Sequence, residues 1–164
     1  MKRTEKLKAA LRFIPAVLWM GMIYWFSAQP ADISTEESFT LASQIVEFYA
    51  GFSGMEEPVQ LQMSLTIEPF LRKAAHMSEY ALLAVLLYSA LKGLHISYRR
   101  AALISLLICI LYSCTDEWHQ TFVFGRSGSI RDVIIDTLGA AVALSVILVK
   151  AHRDFVHAHP PEAL

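Results

Sequence analysis

The sequence predicts an all-α protein, an integral membrane four-helix bundle with an extracellular amphipathic helical segment between spans one and two. Three observations carry that prediction. Of the 164 residues, 55% are hydrophobic and only 18% are charged, whereas about a quarter are charged in a soluble domain. The apolar residues come in four separated runs instead of a globular periodic pattern. Lysine and arginine then gather on one side of the topology those runs define. The length allows one domain, residues 1–164, with spans at about 9–28, 74–93, 100–119 and 131–150 and an outer amphipathic segment at 30–72.

The first run is Phe13 to Ala28, extended to about Ala9 if Arg12 reaches up to the headgroups. A basic start before an apolar stretch also suits a signal peptide. Here Trp19, Tyr24 and Trp25 within the run, and the poor cleavage site Ser27-Ala28-Gln29-Pro30, predict a retained span. Tyr24 and Trp25 are expected near the outer aromatic belt.

The outer segment follows. Ser34-Thr35-Glu36-Glu37 reads as a capping box that starts a helix with Phe39, Ile45, Val46, Phe48 and Tyr49 on its apolar face. Gly51-Phe52-Ser53-Gly54 ends it, and a second amphipathic stretch, Val59 to Phe70, follows Pro58. Such helices can lie on the membrane, fold over the outer mouth as a lid, or simply pack as a surface loop.

The second run, Ala74 to Leu91, contains His76, Ser78 and Glu79; the third is Ala101 to Thr115; the fourth, Val133 to Val149, contains Asp136. None fills the roughly 20 residues of a lipid span without its polar ends, so those ends are expected at headgroup depth. The N-terminal segment, the linker between spans two and three and the tail hold ten Lys and Arg residues. The opposite side holds four, Arg72, Lys73, Arg126 and Arg131. This predicts a multi-pass plasma-membrane protein with both termini cytoplasmic. Cys109 and Cys114, five apart on one helix, cannot bridge each other. His152, His157 and His159 ahead of Pro160-Pro161 suit weak metal binding or a disordered end, and the disordered end is the expectation.

An ionisable group inside a span costs about 2.5 to 3.5 kcal/mol on insertion scales, so several in one small chain point to a site. The predicted topology brings the end of span one, the start of span two, the end of span three and the start of span four to one outer face. Lys73, His76, Glu79, Asp116, Glu117, Gln120, Arg126, Asp132 and Asp136 can converge there, together with Ser27 and Gln29. His76, Glu79 and Tyr80 share a helical face, with Lys73 one turn earlier. A carboxylate beside an imidazole orients it and raises its basicity.

Asp116 and Gln120 are also four apart and share a face, while Glu117 turns about 100° away. Asp132 and Asp136 repeat that spacing, and Gly139 extends the stripe where a helix can approach closely. Carboxylates gathered this way must be protonated, paired with Lys73, Arg126 or Arg131, or neutralised by a divalent cation, for which Asp116 and Asp132 are the candidate ligands. An ion network that merely fixes four short helices is the alternative. Gly125-Arg126-Ser127-Gly128 is a turn whose amides and guanidinium can receive an anion, or a plain connection.

These residues resemble the VanZ-like family of bacterial membrane proteins. The resemblance lies in Arg72-Lys73-x-x-His76-x-x-Glu79-Tyr80, Asp116-Glu117-x-x-Gln120, Gly125-Arg126 and Asp132-x-x-x-Asp136-x-x-Gly139, with Phe26-Ser27-Ala28-Gln29-Pro30 ending span one. It covers about residues 13 to 150. It implies a polytopic membrane protein associated with low-level resistance to teicoplanin and related lipoglycopeptides. In such relatives position 136 is Asn as well as Asp, which implies a hydrogen-bonding or neutral ligand group there and not a required charge. Some carry the label phosphotransbutyrylase, which this chain does not fit because it has no soluble acyl-CoA-binding domain.

The leading expectation is an enzyme at the outer leaflet acting on a membrane lipid or lipid-linked cell-wall precursor. Arg126 and Lys73 would hold phosphate, with Gln120 and Asp136 also binding substrate. His76 would act as acid or base oriented by Glu79, Asp116 and Asp132 would bind a cation or activate a nucleophile, and Glu117 is a further catalytic candidate. A second expectation is a non-catalytic protein that binds the lipoglycopeptide antibiotic or its precursor target. A third is ion-coupled transport, although the inner halves of all spans lack polar steps. No nucleic-acid partner is expected.

Overall fold

The computed structural model describes residues 3–158, and every regular element in them is a helix. The order is α1 (Arg3–Leu11), α2 (Ile14–Ser27), α3 (Ala31–Ser53), α4 (Glu57–Lys92), α5 (Tyr98–Gln120) and α6 (Ile130–Ala158). Among the described residues four stretches are long and apolar enough to cross a membrane: Leu7–Ser27, Glu57–Lys92, Tyr98–Gln120 and Ile130–His157.

The first of these runs through the junction of α1 and α2. Arg12 and Phe13 make a tightened turn, their N–H groups donating to Ala9 and Ala10 three residues back. Pro15 lies in the first turn of α2, where its missing N–H leaves no bond unmade. The helical path therefore continues across the turn.

Burial is reversed relative to a soluble bundle. Large apolar side chains face outward, among them Trp25, Leu111 and Val146, each about two-thirds exposed. Small ones fill the interior: Ala16, Ala84, Ala101, Ala102, Ala140 and Ser105 are almost wholly buried. Lipid replaces water outside, and small residues let helix backbones approach closely. Gly139 marks the tightest approach, since a methyl group there would overlap the Met77 carbonyl. α4 is the hub, packed against α3, α5, α6 and, more lightly, α2.

α2 is held by directional contacts more than by burial. The Trp19 indole donates to the Glu79 carbonyl at 2.8 Å, and the Tyr112 hydroxyl donates to the Met20 carbonyl at 2.6 Å. Both carbonyls lie within helices, so each accepts a second bond across the bundle. Tyr24 also packs its ring on His119, with centroids 4.5 Å apart.

The segment between the first two spans departs from the sequence reading at both ends. α3 starts at Ala31 behind the extended Pro30, one turn before the expected capping box, so Ser34 lies inside the helix. The Ala31 N–H is satisfied by the Phe124 carbonyl at 3.2 Å, a partner far away in sequence. The stop at Gly54 is as expected, with φ of 67°. The Val59 to Phe70 stretch and the second span are one 36-residue helix running through Pro69. At 1.5 Å per residue that helix is about 54 Å long, well beyond the ~30 Å hydrocarbon thickness, so its first turns must leave the hydrocarbon.

α6 likewise continues beyond the expected span end. His152 and His157 lie on this helix, which corrects the expectation of a disordered tail from there; His159, Pro160 and Pro161 lie outside the described residues. Cys109 is buried and Cys114 exposed, both as free thiols.

Candidate functional site

The end of α2, the middle of α4, the end of α5 and the start of α6 meet at one end of the bundle. At the opposite end the Arg12 side chain lies against Gly93. Lys73 on α4 donates to Asp132 on α6 at 2.8 Å. Arg126, in the α5–α6 turn, reaches back to α2: its Nε donates to the Gln29 carbonyl at 2.7 Å and its terminal nitrogen to the Phe26 carbonyl at 3.2 Å. Glu117 accepts the Ser129 N–H at 2.8 Å, closing the turn ahead of α6.

The turn is built for this. Gly125 has φ of 73°, a region open to glycine, and Ala31 of α3 presses against it. A methyl group at Gly128 would overlap the Glu117 carbonyl.

These contacts enclose a polar cavity of about 330 Å3. Of the residues expected at a site, Lys73, His76, Glu117, Gln120, Arg126 and Asp132 line it. A second cavity of about 230 Å3 adjoins it and shares Ser34, Arg72, His76 and Arg126. Glu79 faces this second space.

Asp116 and Asp136 line neither cavity; they sit deeper among the helices. Asp136 is fully buried and accepts the Ser113 hydroxyl at 2.7 Å. Ser113 in turn sits beside Tyr80, whose hydroxyl is buried without a well-formed hydrogen bond. Asp116 accepts a long bond from Gln120, 3.4 Å, and the Ser27 hydroxyl approaches it without good directionality. One oxygen of each aspartate, Asp116 Oδ1 and Asp136 Oδ1, has no partner. Such unsatisfied buried groups are rare enough to require a reason.

The cations differ in how far they are already engaged. Lys73 is paired with Asp132, and Arg72 with Glu68, which also accepts the Ser38 hydroxyl. Arg126 makes no ion pair among the described residues; neutral carbonyls hold it. Burial lowers its pKa, opposed first by Asp116, while Arg72 adds to the lowering. An arginine keeps its charge under such influences, so a positive group faces both cavities. His76 Nδ1 is buried without a hydrogen bond, and Glu79 lies 3.9 Å from it, beyond hydrogen-bond reach.

Arg131 is exposed and does not join the network. No group of three His, Cys, Asp or Glu side chains among the described residues is placed to hold a metal ion. Asp132, one candidate ligand, turns to Lys73 instead. Arg72, Ser34 and Ser113 join these residues without being among those the sequence assigns to the site. Arg72 carries a readable signal, its i,i+4 spacing from Glu68, and Ser113 lies one turn before Asp116 and Glu117.

Taken together, four helical stretches among the described residues that are long and apolar enough to cross a membrane, with ionisable side chains collected at one end, mark a polytopic membrane protein with a terminal polar cavity. The VanZ/LLP1 family model matches residues 13–151, and the chain belongs to that family. No curated protein and no solved structure matches it.

Proposed function

We propose that the protein acts at the outer leaflet of the plasma membrane on envelope lipids or lipid-linked cell-wall precursors. In this reading both termini are cytoplasmic, and the activity gives low-level resistance to teicoplanin-like lipoglycopeptides. The observation that carries the proposal is Arg126, a half-buried guanidinium with no ion-pair partner among the described residues, lining a 330 Å3 polar cavity at the end of a membrane bundle. A charge kept in this setting without a counter-ion is suited to an incoming anion.

A lipid headgroup would enter the cavity while its chains stay in the bilayer. Arg126 would take the phosphate first, because Lys73 is already neutralised by Asp132. His76, with its free Nδ1, is placed to exchange a proton with the headgroup. Asp116 and Asp136 would support the site from below.

The test is resistance to teicoplanin in cells carrying His76→Ala, Arg126→Ala or Asp132→Ala, with protein level in the membrane measured in parallel. Resistance should disappear at unchanged protein level, and mass spectrometry of lipids and wall polymers should show a species that appears or vanishes only with the active protein. Full resistance in all three variants would overturn the proposal.

A further inference from the structure

The second cavity has two faces of different chemistry. Phe26, Leu41, Leu71 and Ala75, from α2, α3 and α4, form an apolar side. The shared residues Arg72, His76 and Arg126 form the polar side and connect it to the first cavity. Phe26, Leu41 and Ala75 are exposed, so the apolar side opens outward from the bundle. A ligand spanning both spaces would be amphiphilic, with its chain leaving between α3 and α4.

The charges lining the two spaces restrict the headgroup. Arg72, Lys73 and Arg126 are matched or exceeded by Glu37, Glu79, Glu117 and Asp132. A phosphate monoester, approaching two negative charges, would find one unpaired guanidinium and several carboxylates. A phosphodiester carries one charge, which Arg126 alone can meet. The carboxylate oxygens are acceptors, and they favour a headgroup that also brings donors, either hydroxyl or ammonium.

From this geometry we infer that the two cavities form one site for a phosphodiester lipid whose headgroup bears hydrogen-bond donors, its chain lying along Phe26, Leu41, Leu71 and Ala75. The inference rests on the proposed action on envelope lipids and narrows it to this class. Leu41 and Ala75, on the apolar side, then decide chain entry.

Purified protein in detergent would be melted with short-chain phosphatidylethanolamine, phosphatidylglycerol, phosphatidylcholine and phosphatidic acid. The first two supply ammonium or hydroxyl donors on a phosphodiester; phosphatidylcholine lacks the donors, and phosphatidic acid is a monoester. Phosphatidylethanolamine, phosphatidylglycerol or both should raise the Tm by several degrees, and the other two should not. Leu41→Trp and Ala75→Trp, both at exposed positions, should each remove the shift while leaving the lipid-free Tm near that of the parent. Equal shifts with all four lipids, a preference for phosphatidic acid, or shifts that persist in both tryptophan variants would overturn this inference and leave the broader reading standing. No shift with any of them would overturn this inference as well, and full resistance in the His76→Ala, Arg126→Ala and Asp132→Ala cells would overturn the broader reading with it.

Discussion

Lys73 Nζ lies 2.8 Å from Asp132 Oδ1, joining the middle of α4 to the first turn of α6 across 59 positions of sequence. Both side chains are over a third exposed, so the pair contributes less than about 1 kcal/mol to folding. Its position at the cavity rim matters more than that. Lys73→Ala and Asp132→Asn should therefore each shift the Tm by only a few degrees while reducing resistance strongly. The exchange Lys73→Asp with Asp132→Lys should recover part of it. Thermal melts beside resistance titrations check this, and a large Tm loss in the single variants would mark the pair as structural.

Gly139 and Gly21 should respond in opposite ways to the same substitution. A methyl group at Gly139 meets the Met77 carbonyl, whereas at Gly21 nothing lies within 4 Å. Gly139→Ala should push α6 off α4 at a cost of about 1 to 3 kcal/mol. Gly21→Ala should be neutral or stabilise by up to about 1 kcal/mol through helix propensity. Melting temperatures in one detergent, with protein levels in membranes, separate the two outcomes.

That contrast bears on what the sequence discloses. Apolar runs locate the spans, and alternating direction places Lys73, Arg126 and Asp132 at one end, because both depend on composition alone. Rotation of a helix about its axis is harder to read. On α5 the wholly buried residues include Ser105, Cys109 and Ser113 while Leu103, Leu107 and Leu111 face outward. Hydrophobicity in lipid does not indicate the interior, and so the sequence brings Asp116 and Glu117 to one site alike, although only Glu117 lines a cavity. The start of α3 is hidden for another reason: Phe124, which satisfies Ala31, is over 90 residues away. A local capping pattern at Ser34 cannot register such a partner.

Arg126 should not tolerate lysine. Its guanidinium donates to the Gln29 and Phe26 carbonyls through two separate nitrogens and still faces both cavities. An ammonium is a point charge that lacks the planar fork. Arg126→Lys should retain charge but lose the α2 attachment, so amide hydrogen exchange over residues 28–34 should rise several-fold and resistance should fall nearly as far as in Arg126→Ala. Normal resistance with unchanged exchange would mean that charge alone suffices.

Asp136 offers a test of whether its charge or its hydrogen bond is needed. It is wholly buried, accepts the Ser113 hydroxyl and has a second oxygen without a partner; among the described residues no cation pairs with it. Ser113→Ala removes its one donor and should destabilise by about 1 to 3 kcal/mol. Asp136→Asn keeps an oxygen for Ser113 and adds an N–H2 beside the unsatisfied Tyr80 hydroxyl. It also removes a group whose ionised form would lie uncompensated inside the bundle. Asp136→Asn should therefore melt at or above the parent temperature, whereas Asp136→Ala, which leaves a cavity and strands Ser113, should melt well below it. If the asparagine and alanine variants melt equally low, the carboxyl group itself is required, and a bound cation or proton at Asp136 becomes the next object to measure.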